Sequence, residues 1–449
     1  MEIHAASTSM HAKLRRNPAF VRFWLASTVS DFGTYVTTVA LSVLILVTMD
    51  GTPLDQGIAN ASRWAPYLVF GLFAGVWIDR FPRRTAMVGA DLGRGLILAV
   101  ICTVAVMGML SVPVLAVLLF IFGTLALTGD AAYQSYLPQL VPRPLLVRAN
   151  ARLQQSDTVA QTAGGAVAGG LVALLSAPFA LLLDAASYLF SAAVLLTMGG
   201  SAAAPSQRAA ESTEEAGPKR HKLRNKIGEG LRWVYGHPQL APLAWSTHLW
   251  FVGFSALGAV LPALVLQNLQ AGAAGLGVVL ACAGGGAVLG TLLSARLGQR
   301  WGTGRTVTCA RLLQPFAVAL LAAAAFGAED NHGLQGTGSW PPAAGAMVLV
   351  CSGQLLLGLG MGIEGPLEMG YRQAVTPDRL LARMSATMRS ANRGMIVLGA
   401  PVGGYLATTR GVGPALWFSA GTLLLAGLML AVSRFRNARI EDQQQGLVT

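Results

Sequence analysis

The sequence contains little charge for its length. Only 12% of its 449 residues are Asp, Glu, Lys or Arg, whereas soluble domains contain about 25%. Hydrophobic residues make up 53% of the chain, and its mean hydropathy is +0.55. This composition excludes an ordinary soluble domain and predicts an integral membrane protein.

Cysteine is also scarce. The four cysteines lie in apolar stretches, without a CxxC motif or a nearby cluster of cysteine and histidine: Cys102, Cys282, Cys309 and Cys351. Zinc sites and disulfide frameworks need such patterns. We therefore expect small buried side chains at these positions and no metal.

A phosphate-binding loop is missing as well. The pattern GxxxxGK[ST] is absent, and the stretch "GTGRT" at residues 302–306 has no lysine. The glycines of residues 358–362 lie within an apolar run and do not follow a strand, so a dinucleotide site is not expected. We also find no nucleophile–base set. The sequence therefore predicts neither an enzyme nor a cofactor. It predicts that an ion gradient is the energy source.

Long apolar runs dominate what is present. A helix that crosses ~30 Å of hydrocarbon needs about 20 mostly apolar residues. A search with this window predicts twelve transmembrane helices, at residues 20–48, 57–78, 85–108, 112–136, 152–175, 178–198, 239–266, 272–295, 306–328, 342–370, 385–408 and 412–433.

The net charge of +12 follows this topology. Lys and Arg are concentrated in alternate connections, whereas the other connections contain only Arg410. Positive charge marks the cytoplasmic side, so both termini are predicted to lie in the cytoplasm. The membrane is predicted to be the inner (plasma) membrane of the cell. The basic start "HAKLRRNP" precedes a run too long for a signal peptide. Nucleic acid is not an expected partner.

The chain divides into two halves joined by a linker. We predict an N-terminal six-helix bundle at residues 1–198, a cytoplasmic linker at 199–238 and a C-terminal six-helix bundle at 239–449. In the linker, Leu223, Ile227, Leu231 and Val234 recur at helical spacing. Basic residues lie between them, which predicts an amphipathic helix on the membrane surface.

The two halves share an internal repeat. At an offset of 235, Tyr136, Pro142 and Arg148 match Tyr371, Pro377 and Arg383. At an offset of 234, the glycine-rich stretch 165–170 is similar to residues 399–404. An even number of predicted spans separates the copies, so both have one orientation. Two parallel, pseudo-symmetric bundles are a transporter architecture with the substrate site near the midplane.

Several segments carry a resemblance to a known family. The stretch "GVWIDRFPRR", with Gly75, Asp79, Arg80, Arg83 and Arg84, resembles the loop signature of the major facilitator superfamily, although Pro82 stands where glycine is common. The stretches "GDAAYQSYLPQLVPRPLLVRANA", "EGLRWVYGHPQLAPL" and "TPDRLLARMSA" resemble the bacterial efflux branch that includes enterobactin and macrolide exporters. The glycine-rich stretch resembles the antiporter motif, with Ala166 in place of its proline.

The resemblance implies roles for this loop. Asp79 is expected to face the start of the eleventh span, where the helix dipole favours an anion. Arg83 or Arg84 is expected to engage an acid at the end of the fourth span, here Asp130. These contacts belong to the state that is closed on the cytoplasmic side. The alternative is a positively charged cytoplasmic loop without this function.

Asp31 lies near the middle of the first predicted span. Polar residues fall at helical spacing around it and form one stripe: Ser27, Thr28, Thr34, Tyr35 and Thr38. A charge in the bilayer is expensive, so a surviving one is a functional candidate. Asp31 either exchanges a proton in a wet cavity or forms a structural ion pair, for example with Arg63.

Glu364 and Glu368 are four residues apart in the tenth predicted span and therefore share a helix face. The repeat offset places Asp130 at matching depth in the other half. The glutamates either take part in proton coupling or are neutralised by Arg389 and Arg393.

Further polar residues in apolar runs are secondary candidates. Asp91 and Arg94 have the i,i+3 spacing of a structural ion pair. His248 and Asp184 are weaker candidates for titration. Aromatic residues are expected to supply an adaptable cavity lining with few fixed charges: Trp24, Tyr35, Tyr67, Trp245 and Trp250.

Together these patterns predict a monomeric secondary exporter of amphipathic small molecules, such as an antibiotic or siderophore-like metabolite, driven by proton antiport. Its partners are then the substrate, protons and the lipid bilayer. The alternatives are a proton-linked importer or lipid translocator with the same fold, and a receptor that does not transport.

Overall fold

The structure, a computed structural model, describes residues 14, 17–71, 81–142, 145–198, 219–331 and 342–439. Gly75, Asp79 and Arg80 of the predicted loop signature lie outside these residues. Within the described ranges the regular structure is entirely helical.

Thirteen helices of 18 residues or more account for most of the described chain. They are α1 (Pro18–Val43), α2 (Pro53–Phe70), α3 (Arg83–Val106), α4 (Val112–Leu140), α5 (Leu146–Leu175), α6 (Ala177–Thr197), α7 (Lys219–Gly236), α8 (Leu240–Ala263), α9 (Gly272–Trp301), α10 (Thr303–Asn331), α11 (Pro342–Val375), α12 (Asp378–Arg410) and α13 (Val412–Ala431).

Ten of the described helices are long and apolar enough to cross a membrane. The helices α2 and α12 lie at the positions of two further predicted spans but do not meet this criterion. Asp55 and Arg63 interrupt the short α2, and arginines occupy the first half of α12. The count of twelve transmembrane helices therefore stays a prediction.

Local sequence signals define where helices begin. Asn17 caps α1 by accepting hydrogen bonds from the backbone N–H groups of Ala19 and Phe20, both at 3.1 Å. Thr52 and Asp55 form a reciprocal capping box at the start of α2. Each cap satisfies N–H groups that have no partner within the helix, which fixes the first turn.

The ends of α1 and α8 have the same local structure. Each continues into a π-helical turn, at Leu44–Thr48 and Leu264–Asn268. A residue with positive φ then ends the turn: Asp50 at 48° and Gln270 at 50°. This correspondence accords with the repeat in the sequence.

These two turns meet at one end of the helix bundle. Gln267 Nε2 donates to the backbone oxygens of Leu46 at 3.1 Å and Gly51 at 2.9 Å. Around them lies the largest apolar cluster, to which both α1 and α8 contribute. N-terminal and C-terminal helices therefore close the bundle at this end.

Glycines permit the closest approach between α5 and α9. A Cβ atom on Gly277 would lie 2.7 Å from the backbone oxygen of Gly165 and 2.8 Å from Cα of Gly169. No side chain fits into such spaces, so the two backbones pack directly against each other. The glycine-rich stretch of the sequence thus acts in helix packing.

The linker contains a helix, α7, whose described side chains begin at residue 228. Glu229 pairs with Arg379 at 2.7 Å and with Arg383, both on α12. Trp233 Nε1 donates to Thr376 Oγ1 at 3.3 Å. This part of α7 therefore packs against the protein, whereas Leu223 and Ile227 lie outside the described side chains.

His237 joins α7 to α8. Its Nδ1 atom accepts hydrogen bonds from the backbone N–H groups of Gln239 and Leu240, both at 3.3 Å. Burial lowers the pKa of His237 below its ordinary value of about 6.5. The neutral ring is therefore the form that caps the start of α8.

Candidate functional site

A cavity of about 490 Å³ lies among the N-terminal helices, in the part of the bundle away from the closed end. All its lining residues come from α1 to α6 except Arg393, which belongs to α12. We call it the central cavity. Its lining includes four aspartates and three arginines, more fixed charge than the sequence led us to expect, namely Asp31, Asp91, Asp130, Asp157, Arg63, Arg94 and Arg393.

Asp31 faces the central cavity from α1, in a row with Ser27, Ser30 and Thr34. Part of the predicted polar stripe therefore lines the cavity. Asp31 accepts no hydrogen bond and has no ion-pair partner among the described residues, Arg63 included. Tyr35 lies beside the cavity and donates to Asp157 at 3.3 Å.

Asp130 lines the cavity from α4 and accepts a hydrogen bond from the Tyr67 hydroxyl at 2.7 Å. The predicted contact with Arg83 or Arg84 is not made here; it was expected for the state that is closed on the cytoplasmic side and stays a prediction. Arg83 donates to the Ser135 carbonyl at 3.1 Å and Arg84 to the carbonyl of Leu195 at 2.7 Å. Both arginines bind carbonyls near helix ends, whereas Asp130 lies about 7 Å before Ser135 along α4.

Asp91 and Arg94 form the ion pair that their spacing predicts. Ser191 Oγ donates to the second Asp91 oxygen at 2.7 Å. The Arg94 guanidinium also lies 4.3 Å from the ring centre of Tyr188. This aspartate is therefore held by two partners although it reaches the cavity.

Arg63 and Arg393 contact aromatic rings and, within the described ranges, no carboxylate. The guanidinium carbon of Arg63 lies 5.3 Å from the ring centre of Phe122 and 5.8 Å from that of Trp64. For Arg393 the distance to the Trp64 ring centre is 3.9 Å. Ring faces attract cations, and the rings of Trp64 and Phe122, which also line the cavity, hold both groups there.

Asp157, Arg393 and Trp64 are lining residues that sequence reasoning missed. Asp157 is a charged residue within a predicted span, a signal that could have identified it. Nothing in the local sequence of Arg393 indicates that it enters a cavity of the N-terminal helices.

Glu364 and Glu368 lie outside the central cavity and are neutralised by Arg311 of α10. Arg311 Nε is 3.0 Å from Glu364 Oε2, and Nη2 is 2.7 Å from Glu368 Oε2. Arg372, one turn along α11, also pairs with Glu368. Neutralisation by Arg389 and Arg393, the predicted alternative, is wrong because α10 places Arg311 between the acids.

Arg311 uses all five of its N–H donors. Besides its bonds to the glutamates, its Nη1 atom donates to Ser246 Oγ at 2.9 Å and Thr247 Oγ1 at 3.2 Å. The side chain is 1% exposed. Sequence reasoning missed Arg311, although it is the one charged residue in the predicted span 306–328.

His248 is a buried packing residue at a helix junction. Its ring lies 2.8 Å from both the Tyr235 hydroxyl of α7 and Asn392 Oδ1 of α12. Trp245 is 55% exposed, and its ring centre lies 5.2 Å from that of Tyr235. Neither residue belongs to the lining of the central cavity, because the face of α8 that carries them points elsewhere.

Asp184 is fully buried in α6. It accepts hydrogen bonds from Thr37 at 2.5 Å and Ser187 at 2.8 Å. Trp250, another predicted lining residue, is buried and donates to Gln314 at 2.5 Å. Among the residues that the structure describes, no group of three or more His, Cys, Asp or Glu could hold a metal ion.

Comparison with known proteins identifies the class. The family model described as "Transmembrane secretion effector" (MFS_3) matches residues 8–447. The chain therefore belongs to this family of the major facilitator superfamily, and it is a multi-pass secondary transporter, not an enzyme.

Two relatives are similar over nearly their whole length. The uncharacterized MFS-type transporter y4rN of Sinorhizobium fredii is 26% identical over 403 residues, 89% of this chain and 91% of its own. The uncharacterized MFS-type transporter YfiS of Bacillus subtilis is 25% identical over 444 residues, 98% of each chain.

Among solved structures, a bacterial homologue of the iron transporter ferroportin in its inward-facing state superposes with a TM-score of 0.69 at 15% identity. The match covers 94% of this chain and 99% of that one. At this identity the similarity concerns the fold alone.

Proposed function

We propose that this transporter exports amphipathic small molecules in exchange for protons, with Asp31 as the coupling carboxylate. The observation that carries the proposal is that Asp31 faces the central cavity and has no hydrogen-bond or ion-pair partner in the described part of the chain. A coupling group must gain and lose its charge during the cycle. A carboxylate held by an arginine cannot do so without breaking its ion pair.

The other intramembrane acids fit this role less well. Asp91, Glu364 and Glu368 are ion-paired with arginine. Asp130 and Asp157 accept hydrogen bonds from tyrosine hydroxyls. We assign Asp130 an auxiliary role, because protonation of its carboxylate would change the hydrogen bond with Tyr67 on α2. The Glu364–Arg311 pair serves the stability of the C-terminal helices.

Alternating access accounts for the closed end and the cavity. With both termini in the cytoplasm, as the distribution of Lys and Arg favours, the closed end faces away from the cytoplasm and the central cavity is reached from within the cell. We propose twelve spans in two six-helix bundles, 1–198 and 239–449, in a monomer of the inner membrane. Opening then requires separation of α5 from α9 and α1 from α8.

An amphipathic substrate suits the lining. Trp64, Tyr67 and Phe122 offer ring surface beside charged groups. The family description, which refers to secretion, favours export over import.

The test is substrate-dependent proton movement in proteoliposomes that contain a pH-sensitive dye, with a panel of macrolides and catecholate compounds. Wild type should show proton counterflow with at least one compound, and Asp31→Asn should bind that compound without moving protons. The matched control is Asp50→Asn, an exposed position whose left-handed backbone conformation Asn also tolerates.

Two results would refute the proposal. One is transport by wild type without proton movement. The other is proton coupling that survives in Asp31→Asn. Proton movement in the same direction as the compound would instead identify an importer.

A further inference from the structure

Two guanidinium groups in the central cavity form no ion pair among the residues that the structure describes. Arg63 of α2 and Arg393 of α12 line the cavity, and neither forms an ion pair or hydrogen bond with any described residue. Arg94, in the same cavity, is paired with Asp91. Arg94 is therefore a structural arginine, whereas Arg63 and Arg393 remain available to bind a ligand.

Their surroundings leave the donors free. Arg393 lies over the Trp64 ring at 3.9 Å and Arg63 over the Phe122 ring at 5.3 Å. Contact with a ring face occupies the face of a guanidinium, while its five N–H donors point outwards in its own plane. An arginine held in this way is prepared to bind a carboxylate, sulfonate or phosphate through two parallel hydrogen bonds.

The two groups also influence each other. Arg393 lies within electrostatic range of Arg63 and Arg389, which repel it, and of Asp130, which attracts it. Asp130 lies beyond ion-pair distance and already accepts the Tyr67 hydroxyl. Unneutralised charges within a membrane are unfavourable, so an anion between the two arginines would relieve their repulsion.

We propose that Arg63 and Arg393 form the subsite for an acidic group of the transported molecule. The substrate class is an amphipathic aromatic acid, with its anionic group between the arginines and its ring against Trp64 or Phe122. Asp31, on α1, remains free for the proton. This assignment rests on the proposed function, because it takes the central cavity as the substrate site.

The subsite joins the N-terminal and the C-terminal helices, which the proposed alternating access would move relative to each other. Arg63 belongs to the N-terminal helices, whereas Arg393 is the single lining residue from α12. An anion bound by both arginines would therefore link the N-terminal helices to the C-terminal helices.

The experiment measures binding by equilibrium dialysis with the full chain in phosphatidylcholine nanodiscs, corrected for empty nanodiscs. The probes share one ring system and differ in charge: 2-naphthoate, 2-naphthylmethylamine and 2-naphthylmethanol. We expect naphthoate to bind at least tenfold more tightly than the alcohol. Arg63→Gln and Arg393→Gln should each weaken naphthoate binding roughly tenfold, since each removes a charge-assisted bond, and leave the alcohol unchanged.

Arg389→Gln is the matched control, because this exposed arginine lies one turn before Arg393 on α12 and outside the cavity lining. It should bind naphthoate as wild type does. Equal binding of the three probes, no binding of naphthoate, or equal losses for all probes in the variants would overturn the subsite. Loss of naphthoate binding in nanodiscs that contain phosphatidylglycerol would assign the arginines to a lipid phosphate and overturn it too.

This result is separable from the proposed function. Proton-coupled export of uncharged or cationic compounds, together with failure of naphthoate binding, would overturn the subsite and leave the exporter. Selective naphthoate binding without any proton movement would support the subsite and refute the antiporter.

Discussion

Replacement of Arg311 by methionine is expected to destabilise the protein strongly. Arg311→Met keeps a side chain of similar length but removes all five hydrogen bonds of a guanidinium that is 1% exposed. Glu368 keeps its pair with Arg372. Glu364 loses the only ion-pair partner that the described residues offer it. Leaving a buried charge without its partner costs about 3–5 kcal/mol.

The hydroxyl groups around Arg311 contribute little to this loss. Ser246 still donates to the Ala426 carbonyl at 2.7 Å, and Thr247 to the Leu243 carbonyl at 2.8 Å. The cost therefore arises from the glutamate. Arg311→Met combined with Glu364→Gln should recover most of it, because a neutral pair replaces an orphaned charge.

The assay is the free energy of unfolding in mixed micelles, from a titration with sodium dodecyl sulfate followed by helical circular dichroism. Arg311→Lys should fall between wild type and Arg311→Met, since an ammonium offers three donors in place of five. Arg389→Met, at an exposed position, is the control and should change stability by less than about 0.5 kcal/mol. A loss below about 1 kcal/mol in Arg311→Met, or no recovery in the double variant, would refute the reasoning.

Three further predictions concern the helix contacts. Gly277→Ala should destabilise the closed end by about 1–3 kcal/mol, because its Cβ would meet backbone atoms of α5 at 2.7 Å; Gly285→Ala on the same helix α9, with open space around its Cβ, is the control in the same titration and should not destabilise. Acidification below pH 6.5 should loosen the α7–α8 junction by about 1 kcal/mol. The pKa of His237 is lowered in the folded state, so the stability that its capping contributes is present above the unfolded pKa and is lost as the pH falls through the folded pKa. Melting curves should show a smaller pH effect in His237→Asn. Tyr235→Phe should cost about 0.5–1.5 kcal/mol by removing the hydrogen bond with His248 and speed limited proteolysis of the linker; an unchanged cleavage rate would contradict this role.

Local patterns in the sequence predicted the features that lie within a single helix. The apolar runs gave helix positions because length and hydropathy act within a segment. The row around Asp31 follows from helical periodicity, and the Asp91–Arg94 pair from i,i+3 spacing. Such relations require no knowledge of the neighbouring helices.

Contacts between helices could not be predicted in the same way. Arg311 and Glu364 are 53 residues apart, and no spacing rule relates α10 to α11. Arg393 enters a cavity formed by helices far away in the sequence. Trp245 is apolar enough for a cavity wall, but the rotation of α8 places it beside Tyr235 and outside the lining of the central cavity. Helix rotation is determined by packing against neighbours, which a single sequence does not record.

Exchange and net transport must be compared in the same proteoliposomes to test the central claim, that proton coupling resides at Asp31. The compound that moves protons in wild type is used in radiolabelled form, with and without an imposed pH gradient. Asp31→Asn should exchange labelled for unlabelled compound without a gradient as fast as wild type, and should fail to accumulate it against a gradient. Accumulation by Asp31→Asn at the rate of wild type would contradict the account.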